Sequence, residues 1–230
     1  DFWRMIPHEG YSADFEYNIN SMSKLKEIYV CAIIDQNVFA LFQDPESRNY
    51  LRNVIISHYF SKEVGFLLRT QYENNLAASD YSRDLLRMAE EKSNFDTHDD
   101  REQAVRDQGF RKTIVKLYEH RCALCGIRLR TPEGHTMVEA AHIVPWCESK
   151  DDRPVNGLCL CRLCHWSFDQ GLMSVDEEYQ VLVSDRVRSD NNMPGHILTL
   201  ISRGIIKPEN NLYWPSLPLL ASHRRKHQFG

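Results

Sequence analysis

Residues 122–171 read CALCGIRLRTPEGHTMVEAAHIVPWCESKDDRPVNGLCLCRLCHWSFDQG. The stretch opens on Cys122-Ala-Leu-Cys125-Gly126 and reaches Cys161-Arg-Leu-Cys164 after 35 intervening residues. Two residues between thiols let both sulfurs of one tight turn reach a tetrahedral Zn²⁺, and Gly126 relieves that turn. Four thiolates leave no open position on the ion. A zinc on Cys122, Cys125, Cys161 and Cys164 is therefore expected to be structural, its binding energy serving as folding energy. Six of the seven cysteines lie between Cys122 and Cys164. Crowded CxxC pairs without a signal peptide read as metal ligation in a reducing cytoplasm, since a secreted disulfide framework spreads its cysteines. Cys147 and Cys159 are expected as small packing residues, and Cys31, alone in an apolar stretch, as a buried core residue.

Between the two pairs, Val138 to Val144 predicts a strand that holds His142 on a rigid edge, with Pro145 ending the pairing. Asn156-Gly157 reads as a turn. Beyond Cys164, His165 and Asp169 stand four residues apart, so on a helix they share a face and can grip one cation. Phe168 turns toward the core and Gly171 suits the helix stop.

The order CxxC, EAAHIxP, NG, CxxCH, FDxG resembles the HNH (ββα-metal) endonucleases, specifically their McrA-like, four-cysteine zinc branch. The likeness covers about residues 110–185. It implies an α+β fold, a ββα-metal module with structural zinc behind a mixed, mostly helical N-terminal region. It also implies hydrolysis of DNA phosphodiesters, with 5′-phosphate and 3′-hydroxyl products. Such chemistry needs a base for the attacking water and a Lewis acid for the developing charge, and neutral imidazole serves as the base near pH 7. By the resemblance, His142 is that base, Asn156 positions the loop, and His165 and Asp169 hold the catalytic cation. An imidazole and a carboxylate with open positions suit Mg²⁺, Mn²⁺ or Ni²⁺. Many members carry a further ligand just before the base, where this chain has Ala141. Glu139, two residues earlier on the same strand face, is one candidate substitute; the alternative is a two-ligand cation completed by waters and phosphate.

Outward from this segment, Arg121, Arg128, Arg130, Arg153 and Arg162 form a candidate set of phosphate contacts. Residues 1–110 carry 12 Lys+Arg against 19 Asp+Glu, and residues 111–230 carry 16 against 13. The C-terminal half is thus the more suited to face phosphate. Trp214 and His223-Arg224-Arg225-Lys226 are expected to pack on, or extend, the module.

Upstream, residues 24–43 predict a packed core element. Asp44-Pro45-Glu46 caps a helix to about residue 60, and another is expected from Lys62 to Leu76. Residues 90–105 lack large apolar side chains and mark the boundary. Expected domains are 1–90, a linker at 91–109, the nuclease module at 110–190 and a packed extension at 191–230. A helix leads into the module, and its Arg111, Lys112 and Lys116 read either as phosphate contacts or as a plain solvated face. The DPESRNYLRN stretch resembles the end of the domain preceding HNH modules in bacterial, Type IV-like restriction endonucleases, some of which carry a sulfur-binding domain. That resemblance implies a modification-dependent restriction enzyme acting on phosphorothioated or methylated DNA, with a homodimer as one arrangement. With no methionine at position 1, the sequence is expected to be a piece of a longer chain. No apolar run approaches the roughly 20 residues of a membrane span, so no membrane partner is expected. Competing readings of the same residues are a nonspecific toxin-type nuclease and a non-catalytic, zinc-stapled DNA-binding module.

Overall fold

Asp44 accepts a hydrogen bond from Ser47 N at 2.7 Å, and Pro45 occupies the first helical position. Together they start a helix where the sequence predicts one. In the computed structural model, which describes residues 3–12, 17–91, 103–189 and 192–229, the chain separates into Asp1–Gln71 and Tyr72–Gly230.

The first unit pairs β1 (Trp3–Pro7) with β2 (Tyr29–Ile34) as an antiparallel ribbon, Trp3 opposite Ile34. Around it in sequence lie α1 (Met22–Ile28), α2 (Gln36–Gln43) and α3 (Pro45–Tyr59), followed by the first turns of α4 (Lys62–Glu91). Residues 24–43 are therefore not one packed core element. Only Ile28 among them is buried, and Val30, Ile33, Ile34, Phe39 and Leu41 are exposed. Cys31 is exposed as well, because a two-stranded ribbon has no second layer among the described residues to cover it.

The division between these two units falls inside α4. Its second half buries Ala78, Tyr81 and Leu85. Ser82 Oγ there lies 2.8 Å from Thr113 Oγ1 of α5 (Gln103–Leu117). Lys112, open in the sequence to either phosphate or solvent, donates to Asn75 O and Ser79 Oγ of α4. Residues 92–102 of the expected linker lie outside the described residues. Residues 103–109 begin α5, with Val105 and Arg106 buried.

The second unit centres on β3 (Val138–His142) and β4 (Gly157–Cys161), antiparallel, with Val138 opposite Cys161 and His142 opposite Gly157. Every residue of β4 is buried, as expected of a strand covered on both faces. The short α6 (Trp146–Ser149) follows Pro145, and α7 (Arg162–Asp169) follows β4 directly. This β3–α6–β4–α7 region and the hairpin after it make a mixed α+β domain behind a helical N-terminal region. Gly171, at φ +62°, ends α7 in a Schellman arrangement, with Gly171 N donating to Phe168 O and Leu172 N to Ser167 O. Helix α5 comes so close to β4 that a Cβ on Gly157 would lie 2.3 Å from Ile114 Cδ1.

The C-terminal part closes over the module. Strands β5 (Met173–Val175) and β6 (Val181–Val183) form a hairpin, and Ile206 N donates to Ala123 O beside the first CxxC pair. Helix α8 (Leu217–Lys226) buries Leu220 and His223. Trp214 donates to Pro208 O and packs edge-on against Tyr179. His223 stacks on Phe168 at 3.7 Å between ring centroids, with its ring nitrogens on Ser174 Oγ and Phe168 O. Among the described residues no helix is long and apolar enough to cross a membrane.

Two stability outcomes follow from this packing. Gly157→Ala should lower the unfolding free energy by about 1–3 kcal/mol, the usual scale of overpacking, read from denaturant midpoints; an unchanged midpoint would contradict the tight α5–β4 approach. Burial pushes His223 from 6.5 down to about 4. Its unfolded form therefore takes up a proton first, so stability should fall as pH drops from about 6.5 to about 4 and level off below. Replacing His223 by Gln should flatten that part of the stability–pH curve.

Candidate active site and metal cluster

The first CxxC turn follows α5. Cys122 N bonds Ile127 O and Gly126 N bonds Cys122 O, with Gly126 at φ +78°. The second pair straddles the β4–α7 junction: Cys161 ends β4 and caps α7, and Cys164 sits in the first turn of that helix. All four sulfurs lie within 4.8 Å of one another. Sulfurs about 2.3 Å from a tetrahedral ion would be about 3.8 Å apart, and Cys125 Sγ and Cys161 Sγ are 3.7 Å apart. Hydrogen bonding among the four thiols draws Cys125 and Cys161 toward the thiolate, the form in which sulfur binds metal, and holds Cys122 and Cys164 protonated as their partners. The cluster has the makeup of a structural zinc site. Cys159 is buried, and burial pushes its thiol up to about 12, the behaviour of a packing residue. Cys147 is exposed on the short α6, so it is not the packing residue expected.

One residue beyond Cys164, His165 enters a cleft of about 310 Å³ lined also by His142, Pro145, Trp146, Asp169, Lys226 and His227. His165 Nε2 is 3.4 Å from Asp169 Oδ2, the i,i+4 pair that the spacing predicts. Two ligand atoms about 2.1 Å from one ion in octahedral array stand about 3 Å apart, so this pair suits one cation. Glu139 lies 3.6 Å from the other ring nitrogen, Nδ1. The two nitrogens point away from each other, which puts Glu139 across the imidazole from a cation at Nε2. In this geometry Glu139 and Asp169 approach His165 from its two different ring nitrogens. Arg111 and Arg162 each approach Glu139 at 3.8 Å. Ala141 is buried.

His142 ends β3 with Phe110 of α5 stacked on its ring, centroids 3.9 Å apart and planes within 5°. Its Nε2 is 2.8 Å from Asp152 Oδ1. The other oxygen of Asp152 accepts from Tyr81 Oη at 2.8 Å and Arg106 Nη2 at 2.6 Å. Burial alone would push the Asp152 carboxyl up, but hydrogen bonds from His142, Arg106 and Tyr81 hold it below the ordinary carboxylate range. Sequence reasoning missed this group. Asp152 reads as part of a polar loop, and its partners lie 71 and 46 residues away in sequence.

Asn156 is fully buried and bridges two loops. Its Oδ1 accepts from Val144 N at 2.9 Å, and its Nδ2 donates to Val144 O and Asp151 O. Of the arginine set, Arg121, Arg128, Arg130 and Arg162 are exposed. Arg153 pairs bidentately with the Asp151 carboxylate, at 2.9 and 2.7 Å. Arg111 Nη2 is similarly drawn to Val138 O. The end of α8 and the residue after it add Lys226 and His227 to the cleft, and Lys226 pairs with Glu148 of α6 at 2.6 Å.

The HNH endonuclease family matches residues 122–176. That segment is an HNH-like ββα domain with a four-cysteine metal-binding cluster. Among solved structures, a modification-dependent TagI restriction endonuclease is similar over 51% of this chain and 36% of its own, with 23% identity and a TM-score of 0.37. No curated protein matches. An HNH-like domain points to nuclease-type function and to DNA as partner.

The cluster makes a direct expectation. Metal analysis should find one zinc per chain, and chelation or Cys122→Ser should abolish the cooperative melt of Tyr72–Gly230, since structural zinc contributes about 10–16 kcal/mol in small domains. Chelated protein that melts like the parent would refute a folding role for the cluster.

Proposed function

We propose that the chain is a metal-dependent endonuclease that hydrolyses DNA phosphodiesters in the His142–His165–Asp169 cleft. The observation that carries this reading is the convergence, in one cleft beside the HNH-like ββα core, of a basic imidazole and an imidazole–carboxylate pair of cation-binding geometry. His142 takes a proton from water, the resulting hydroxide attacks phosphorus, and the P–O3′ bond breaks. The 3′-oxygen leaves and is protonated from solvent, giving 5′-phosphate and 3′-hydroxyl ends. His165 and Asp169 would hold a divalent cation, Mg²⁺, Mn²⁺ or Ni²⁺, whose charge offsets that building on the leaving oxygen. Exposed Arg121, Arg128, Arg130 and Arg162 serve as the phosphate contacts in this reading.

A modification-dependent restriction role is the finer part of the proposal. Its support is the resemblance of the N-terminal DPESRNYLRN stretch to restriction endonucleases that precede an HNH module with a recognition domain. Plasmid DNA, modified and unmodified, incubated with each cation separates the two levels. Cleavage of both substrates would retain the nuclease and remove the modification dependence. His142→Ala should slow cleavage by about 10²–10⁴-fold, the scale of general-base catalysis, and His165→Ala and Asp169→Ala should remove cation-dependent activity. A His142→Ala protein that cuts as fast as the parent would refute the assignment of the base.

A further inference from the structure

The buried group behind His142 has a chemical consequence. Asp152 is 2% exposed, and both of its oxygens are occupied. Arg106 and Tyr81 meet Oδ2 as donors, and Arg106 is itself 4% exposed. A buried carboxylate between a guanidinium and a phenol hydroxyl stays ionised, because removing its charge would leave the Arg106 cation uncompensated. An ionised carboxylate only accepts hydrogen bonds. The 2.8 Å contact from Oδ1 to His142 Nε2 therefore requires the proton on Nε2. In the neutral imidazole the other nitrogen, Nδ1, is then the one with the lone pair. Phe110 stacked on the ring face fixes the ring plane.

We propose that Asp152, anchored by Arg106 and Tyr81, is the positioning residue that sets the tautomer and orientation of His142 and makes Nδ1 the proton-accepting atom. The inference rests on the nuclease reading above. Asp152 takes no proton in the reaction. Water loses its proton to Nδ1, the imidazolium forms with Nε2–H still donating to Asp152, and the carboxylate stabilises that charge by its proximity. The group also reaches outside the ββα core, since Tyr81 belongs to α4 and Arg106 to α5. The working geometry of His142 thus depends on helices that carry none of the sequence motif.

Asp152→Asn is the informative change. Arg106 and Tyr81 still need an acceptor, so the amide oxygen should face them and the amide NH₂ should face His142. His142 Nε2 must then accept, and the proton moves to Nδ1. In the full chain labelled with ¹⁵N-histidine, the ring-nitrogen shifts of His142, assigned by their loss in His142→Ala, should show Nε2–H in the parent and Nδ1–H in Asp152→Asn. Cleavage by the variant should fall about 100-fold or more in kcat, with KM for DNA and zinc content unchanged. Nδ1–H in the parent, or a folded Asp152→Asn protein that cuts within about threefold of the parent, overturns the proposal. If the variant fails to fold, the parental nitrogen shifts decide alone. A parent that cuts no DNA with any cation overturns the nuclease reading and, with it, the catalytic role, whereas an Nδ1–H parent that does cut overturns only the role of Asp152.

Discussion

The four sulfurs of Cys122, Cys125, Cys161 and Cys164 tie the turn after α5 to the junction of β4 and α7, and that tie sets the rest of the module. Cys161 is at once the last residue of β4 and the cap of α7, so an ion on these thiols fixes the angle at which strand becomes helix. His165 follows Cys164 directly, and Asp169 follows one turn later. The cluster thereby aims the candidate cation-binding pair without touching it. Zinc bound there would supply folding energy where the sheet is only two strands wide, too small to be stable without covering layers.

Those layers come from both directions along the chain. Helix α5 lays Phe110 and Ile114 on one side, close enough that position 157 admits only glycine without displacing Ile114. Helix α8 comes from the other side and is pinned through His223 to Phe168 and Ser174. The His165–Asp169 pair and His142 sit in one cleft, which Lys226 of α8 also lines. Asn156 does the equivalent work inside the loops. Three of its amide hydrogen bonds satisfy backbone groups that the β3–β4 connection would otherwise bury unpaired.

Local spacing made much of this legible. The CxxC pairs, the strand ending at His142 and the i,i+4 pair His165 and Asp169 are short-range patterns whose geometry follows from the period of strand and helix. The start of α3 at Asp44-Pro45 is legible for the same reason. What failed was burial. Cys31 and Cys147 are apolar in type yet exposed, because burial is set by the layer that covers a residue, and no local pattern records that layer. Nor does composition record that the second half of α4 packs on α5, with Ser82 Oγ against Thr113 Oγ1.

The sequence by itself determined the chemistry available to the module: four thiols for one closed metal cluster, an imidazole on a strand edge, and an imidazole and carboxylate on one helical face. Tertiary structure alone decided how those groups are held. It placed Glu139 and Asp169 on opposite nitrogens of His165, committed Arg153 to Asp151, and brought Tyr81 and Arg106 to Asp152 behind His142. Each of these depends on side-chain direction or on contacts between segments distant in the chain. Sequence spacing fixes which residues share an element, whereas the charge and proton of a buried group are set by whatever else is packed against it.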